Sequence, residues 1–211
     1  MIREKHYSTY LQALLSGDQK RCTEIVSQLL DEKVDIKMLY NQLFQRSLYE
    51  TGELWEMNKI SVATEHLATS ITESLLTLVY PIIFSKPHNE RTAIVSCVAN
   101  EFHQIGGKIV ADFLELNGWH AHFLGANTPV KDLVEFIDKK EPDLVALSLS
   151  LYFNLPKLHK TIEVIRAHNQ KLPILVGGQA FRWGGQELQY GYEGVRLLTS
   201  LDELESVMKT Y

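Results

Sequence analysis

The chain has 211 residues, 45% of them hydrophobic and 22% charged, with a formal net charge of −5. That supports a sizeable core and gives no general attraction to nucleic acid or to an anionic membrane surface. No apolar run is long and clean enough to span a bilayer, and "MIREKHYSTYLQALL" lacks the apolar core of a signal peptide, so a cytoplasmic protein is expected.

The first 85 residues read as helices only. After "YSTYLQALL", helix starts are expected at Asp18 and Asp35, each an aspartate placed to accept from the open amides of a first turn. Ile25, Leu29 and Leu30 recur at helical spacing, as do Leu39, Leu43 and Leu48. From Ser61 a further helix places Val62, His66, Thr69 and Glu73 along one side and Leu67, Ile71, Leu75 and Leu78 along another. Four helices suffice for a bundle that buries its own apolar faces. The two cysteines, Cys22 and Cys97, form no CxxC pair and read as buried reduced thiols, with no structural zinc site.

The period changes after the polar link "SKPHNERT". Short apolar runs ("AIVSCVA", "HAHFLG", "DLVALSLS", "PILVGG", "GVRLL") alternate with helical stretches near 104–117, 129–140, 155–169, 180–190 and 201–210. Alternation of this kind implies a doubly wound, mostly parallel sheet of the flavodoxin or Rossmann type. The expected organisation is a four-helix bundle over residues 1–85 and an α/β domain over residues 90–211.

Open parallel sheets bind ligands beyond the carboxyl ends of their strands. Four segments fall there: "EFHQIG" after the first strand, "GANTP" after the second, "SLSLYFN" closing the third and "VGGQAF" after the fourth. Gly177 and Gly178 lack side chains, so a bulky ligand can approach the backbone. Ser148 is a small donor on the same rim, and Gly106 and Gly107 open space beside the first helix of the domain. No GxGxxG or P-loop motif is present. Taken alone, His103 is an ordinary loop histidine and Glu101 a surface charge.

As a set in this order, acid-x-His-x-x-Gly, GANTP, a serine and Gly-Gly resemble the cobalamin-binding module of methionine synthase and the corrinoid proteins, over nearly the whole chain. The resemblance implies that His103 is the lower axial ligand of cobalt, replacing the cofactor's own dimethylbenzimidazole. Glu101, where the family has Asp, becomes the acceptor on the other ring nitrogen. The displaced nucleotide tail then threads between Gly106, Ser148 and Gly177–Gly178, with Tyr152 and Asn154 on the rim.

The helical half adds a second likeness. Trp55, followed after nine residues by Glu65-His66, is similar to the cap of the light-sensing, B12-dependent transcriptional regulators and their stand-alone relatives. By that likeness Trp55, Glu65 and His66 face cobalt from above, and the cofactor lies between bundle and α/β domain. Glu56 stands where the photoreceptor pattern has a cobalt-ligating histidine, so a bis-histidine state through that position is not expected.

The leading expectation is a cobalamin sensor reporting adenosyl- or methylcobalamin, with or without light, to a separate regulator or signalling protein, and able to form a homo-oligomer. The first helix begins almost at Met1, so a one-chain repressor, and with it direct nucleic-acid binding, is not expected. The alternative is a corrinoid methyl carrier that works with a methyltransferase. A third reading keeps the fold but binds haem or nothing.

Overall fold

The first helix, α1 (Glu4–Ser16), stops at Gly17, whose φ of 76° is a left-handed conformation that suits glycine. Asp18 then opens α2 (Gln19–Asp31), its carboxylate accepting from the Arg21 amide at 2.9 Å. Asp35 does the same for α3 (Ile36–Leu39) through the Met38 amide at 3.0 Å. The helix runs on through a π-helical turn, Tyr40–Gln45, into α4 (Arg46–Glu56). Ser61 caps α5 (Val62–Leu76), which continues through a 3-10 turn, Thr77–Val79, into α6 (Tyr80–Ile83). Each cap satisfies an amide that a first turn leaves open. The result is four helical rods around Tyr10, Leu14, Leu29, Leu43, Phe44 and Leu75, all buried. Ile71 and Leu75 point inward as their spacing predicts, whereas Leu67 stays 46% exposed.

This computed structural model describes residues 2–85 and 87–211. The chain forms two units, Met1–Ser85 and Lys86–Tyr211. Among the described residues no helix is long and apolar enough to cross a membrane.

The second unit alternates strand and helix: β1 (Thr92–Cys97), α7 (Ile105–Leu116), β2 (His120–Phe123), α8 (Val130–Lys140), β3 (Leu144–Ser148), α9 (Leu155–His168), β4 (Ile174–Gly177), α10 (Leu188–Gly191), β5 (Val195–Leu198) and α11 (Leu201–Met208). All neighbouring strands are parallel, in the order β2-β1-β3-β4-β5. Ile94, Val145, Leu147, Ile174 and Val176 share one core cluster with Leu133 and Ile137 of α8 and Leu158 and Ile162 of α9. Cys97 and Ser148 have the opposite strand parity, and Gly107 of α7 lies against them, so α7 covers the other face. Helices on both faces explain why β1 and β3 read as continuous apolar runs rather than alternating ones.

One expected helix is corrected. Residues 180–190 form a 3-10 turn, Gln179–Arg182, and the short α10, not one helix. Gly184 and Gly185 lie between them with φ of 144° and 84°, which no α-helix accommodates.

Candidate functional site

Strand order reverses between β1 and β3, since the chain leaves β1 to one side for β2 and returns past it to β3. A crevice opens at the carboxyl ends of two such strands. The loop from Val98 to Gln104, following β1, and the loop from Leu149 to Asn154, following β3, meet there.

Glu101 is fully buried in this meeting and His103 stands beside it. One carboxylate oxygen, Oε1, accepts from the His103 ring nitrogen Nδ1 at 2.8 Å and from the His103 amide at 3.0 Å. The other, Oε2, accepts from the amides of Ser150 at 3.0 Å and Leu151 at 2.9 Å, with the Asn154 side-chain amide at 3.5 Å. Burial opposes a charge on Glu101, but the His103 ring and the amides of Leu151, His103 and Ser150 outweigh it. The carboxyl is held below its ordinary value. An ionised acceptor beside Nδ1 favours a proton on that nitrogen, and in the neutral ring of that tautomer the lone pair belongs to Nε2. The His103 side chain is 48% exposed, so the imidazole is anchored at one end and reaches out of the rim.

Ser148 and Gly106 are adjacent: a β-carbon on Gly106 would lie 3.5 Å from Ser148 Oγ, in ordinary contact. Gly177 pairs with Ser148 across β3 and β4. The double glycine has a backbone reason of its own. A β-carbon on Gly177 would stand 2.8 Å from the Leu198 carbonyl oxygen, and one on Gly178, at φ 120°, would overlap the Leu149 carbonyl. Cys97, which pairs with Ser148 across β1 and β3, is buried, its thiol pushed up to about 12 by burial first and by the Glu101 charge second. Tyr152 is half exposed, its ring lying along Gly184. Asn154, assigned to the rim by resemblance, is buried instead, its Nδ2 donating to the Asn100 carbonyl at 3.1 Å.

Sequence reasoning missed the clamp on this loop. Asn127, in the loop after β2, accepts from the Asn100 amide through Oδ1 at 2.8 Å and donates its own amide to the Glu101 carbonyl at 2.8 Å. The available signal was an asparagine within GANTP, a residue type that tolerates left-handed turns. The Ser150 and Leu151 donors are backbone amides and left no side-chain signal at all.

In the helical unit, Trp55 occupies the last turn of α4 and is 43% exposed. Glu65 closes the first turn of α5 and His66 follows it. Glu65 accepts from Thr69 Oγ1 at 3.0 Å, and its other oxygen is 3.7 Å from Nε2 of His66, whose side chain is 74% exposed. The helical register therefore sets both aromatic rings on the surface of this unit.

Residues 91–196 match the model of the B12 binding domain, and residues 7–80 match a second B12 binding domain model. The chain belongs to the B12-binding family. Within that family it is 26% identical over 183 residues to the HTH-type transcriptional repressor CarH of Myxococcus xanthus, covering 84% of this chain and 60% of the repressor. It is 22% identical over 139 residues to trimethylamine corrinoid protein 1 of Methanosarcina acetivorans, covering 64% of each chain. Its fold matches that of the monomethylamine corrinoid protein of Methanosarcina barkeri, with a TM-score of 0.82, 14% identity and 98% coverage of both chains. The chain thus spans about 60% of the repressor's length.

This B12-binding protein has a donor set that fits a corrinoid. Among the described residues no three His, Cys, Asp or Glu side chains converge into a cage for a bare ion. A cobalt already held in a macrocycle asks for a single protein nitrogen, and an anchored, outward-reaching imidazole is a group that can offer one.

Proposed function

We propose that this protein is a cobalamin sensor that takes adenosyl- or methylcobalamin with His103 as the lower axial ligand. The observation that carries the reading is the Glu101–His103 pair, a buried ionised carboxylate orienting a half-exposed imidazole at the switch point of the sheet. Bound there, the cofactor supplies a cobalt–carbon bond that can be cleaved and re-formed. The chain's own part is to present Nε2, to keep Nδ1 protonated through Glu101, and to admit the displaced nucleotide tail beside Gly106 and Ser148. The resemblance assigns Trp55, Glu65 and His66 to the upper side of the corrin, where their identity governs what the sensor reports to a separate signalling partner.

The second reading, a corrinoid methyl carrier serving a methyltransferase, is favoured by the full-length fold match to a corrinoid protein. Trp55 and the Glu65-His66 pair favour the sensor, because a carrier's cap has to clear the upper face in every methyl transfer.

Reconstitution separates the two. Protein loaded with adenosylcobalamin in the dark is expected to change oligomeric state after green light, read by size-exclusion chromatography. Unchanged oligomeric state together with methyl exchange from a partner methyltransferase would establish the carrier. In either case His103→Ala is expected to alter the absorption spectrum of the bound cofactor, and an unaltered spectrum would remove His103 from the cobalt.

A further inference from the structure

Among the described non-glycine residues, five adopt positive φ: Lys33, Asn58, Asn100, Asn127 and Glu141. Lys33, Asn58 and Glu141 follow the ends of α2, α4 and α8, an ordinary use of the left-handed conformation. Asn100, at φ 67°, and Asn127, at φ 51°, end no helix. They lie 27 residues apart in sequence and are joined to each other, the Asn127 Oδ1 accepting from the Asn100 amide at 2.8 Å. Strained backbone persists where its surroundings enforce it, and such positions gather at functional sites.

What the pair encloses is the peptide that carries Glu101. Asn127 takes the Asn100 amide on one side and gives its own amide to the Glu101 carbonyl on the other. Asn154 holds the intervening Asn100 carbonyl at 3.1 Å, and the Glu101 amide returns to the Val98 carbonyl at 3.0 Å. The main-chain direction at Glu101 is therefore fixed from β2, β1 and β3 at once. Asn127 does not use its side chain to cap α8, the helix that follows it; the bond goes to the other loop.

We infer that Asn127 is a positioning residue whose side-chain oxygen, acting through the Asn100–Glu101 peptide, sets the orientation in which His103 is offered to cobalt. The inference rests on the corrinoid reading for its ligand but has its own structural consequence without any cofactor. A left-handed asparagine that merely served the turn could be replaced by glycine at no loss. One that acts through Oδ1 could not.

The test uses the full chain and two variants. Asn127→Gly keeps the backbone conformation and deletes the acceptor; Asn127→Asp keeps both. In the cofactor-free protein, nitrogen NMR of labelled histidine is expected to show His103 protonated at Nδ1 in wild type and in Asn127→Asp, and to lose that preference in Asn127→Gly. In the cobalamin complex, the ratio of histidine-ligated to unligated cofactor, read by absorption, is expected to fall about three- to tenfold in Asn127→Gly alone. Ring signals and ratio unchanged in Asn127→Gly would overturn the inference, as would Asn127→Asp behaving like the glycine variant. If the glycine variant does not fold, amide exchange in wild type decides: protection of the exposed Asn100 amide supports the bond, and free exchange refutes it. Wild-type cofactor lacking an axial histidine would instead overturn His103 as the lower ligand, and the cofactor-free ring signals would still judge Asn127.

Discussion

Gly178 and Leu149 stand so close that a β-carbon on the glycine would overlap the Leu149 carbonyl oxygen and lie 2.8 Å from its carbon. Gly106, on the same rim, has ordinary room: its nearest neighbour would be Ser148 Oγ at 3.5 Å. Two glycines from different loops thus answer to different constraints. Gly178→Ala meets both positive-φ strain and a backbone overlap, each costing about 1–3 kcal/mol, and should lower unfolding free energy by about 3 kcal/mol or more. Gly106→Ala should leave it within about 1 kcal/mol of wild type while weakening cobalamin binding at least several-fold. Urea unfolding and cofactor titration of the two variants check the contrast.

Glu101 makes stability depend on pH in a stated direction. Its carboxyl is held below its ordinary 4.5, so the folded state prefers the ionised form more strongly than the unfolded chain does. The contribution is present in full above that ordinary value and disappears as pH falls through the lower folded value. Glu101→Gln cannot accept from both sets of donors, because one of its two terminal atoms is an NH2 group. It should cost about 1–3 kcal/mol near neutral pH, and its deficit relative to wild type should shrink as pH falls below 4.5. Paired unfolding curves of wild type and variant, from about pH 3 to about pH 7, read this directly.

The two thiols should be silent in the native state. Cys22 and Cys97 are buried and free, and burial raises them to about 11 and about 12. Thiolate is the reactive form, so an aromatic disulfide reagent at mildly alkaline pH should label neither residue until denaturant is added, and then both. Fast labelling of either one in the folded protein would contradict the packing described for its unit.

Trp55 offers a test of the assignment to the upper face. It is 43% exposed, so Trp55→Ala should change the thermal midpoint little while speeding loss of bound adenosylcobalamin in the dark. Equal cofactor retention in the variant would detach Trp55 from the site.

The helix starts at Asp18 and Asp35 were legible because one side chain type at one position does the capping. The parallel sheet was legible because apolar runs too short for helices alternated with amphipathic ones. A helix over 180–190 is expected from the alternation with strands alone, and Gly184 and Gly185 decide otherwise through backbone conformation. In the site, Glu101 and His103 carry a motif, and the structure shows the longer glutamate reaching the ring two residues on and across to the loop after β3. The amides of Ser150 and Leu151 are common to every sequence and mark nothing. Asn127 lies 24 residues from His103 in sequence, and only the parallel pairing of β1 with β2 brings their loops together.

The most direct measurement is the electron paramagnetic resonance spectrum of the protein's Co(II) cobalamin complex, prepared with ordinary histidine and again with nitrogen-15 histidine. An axial imidazole from His103 predicts that each cobalt line is split into three in the first sample and two in the second, and that the labelling effect vanishes in His103→Ala. A threefold splitting unaffected by the label would mean that the cofactor's own base holds the metal, and would contradict His103 as the axial ligand.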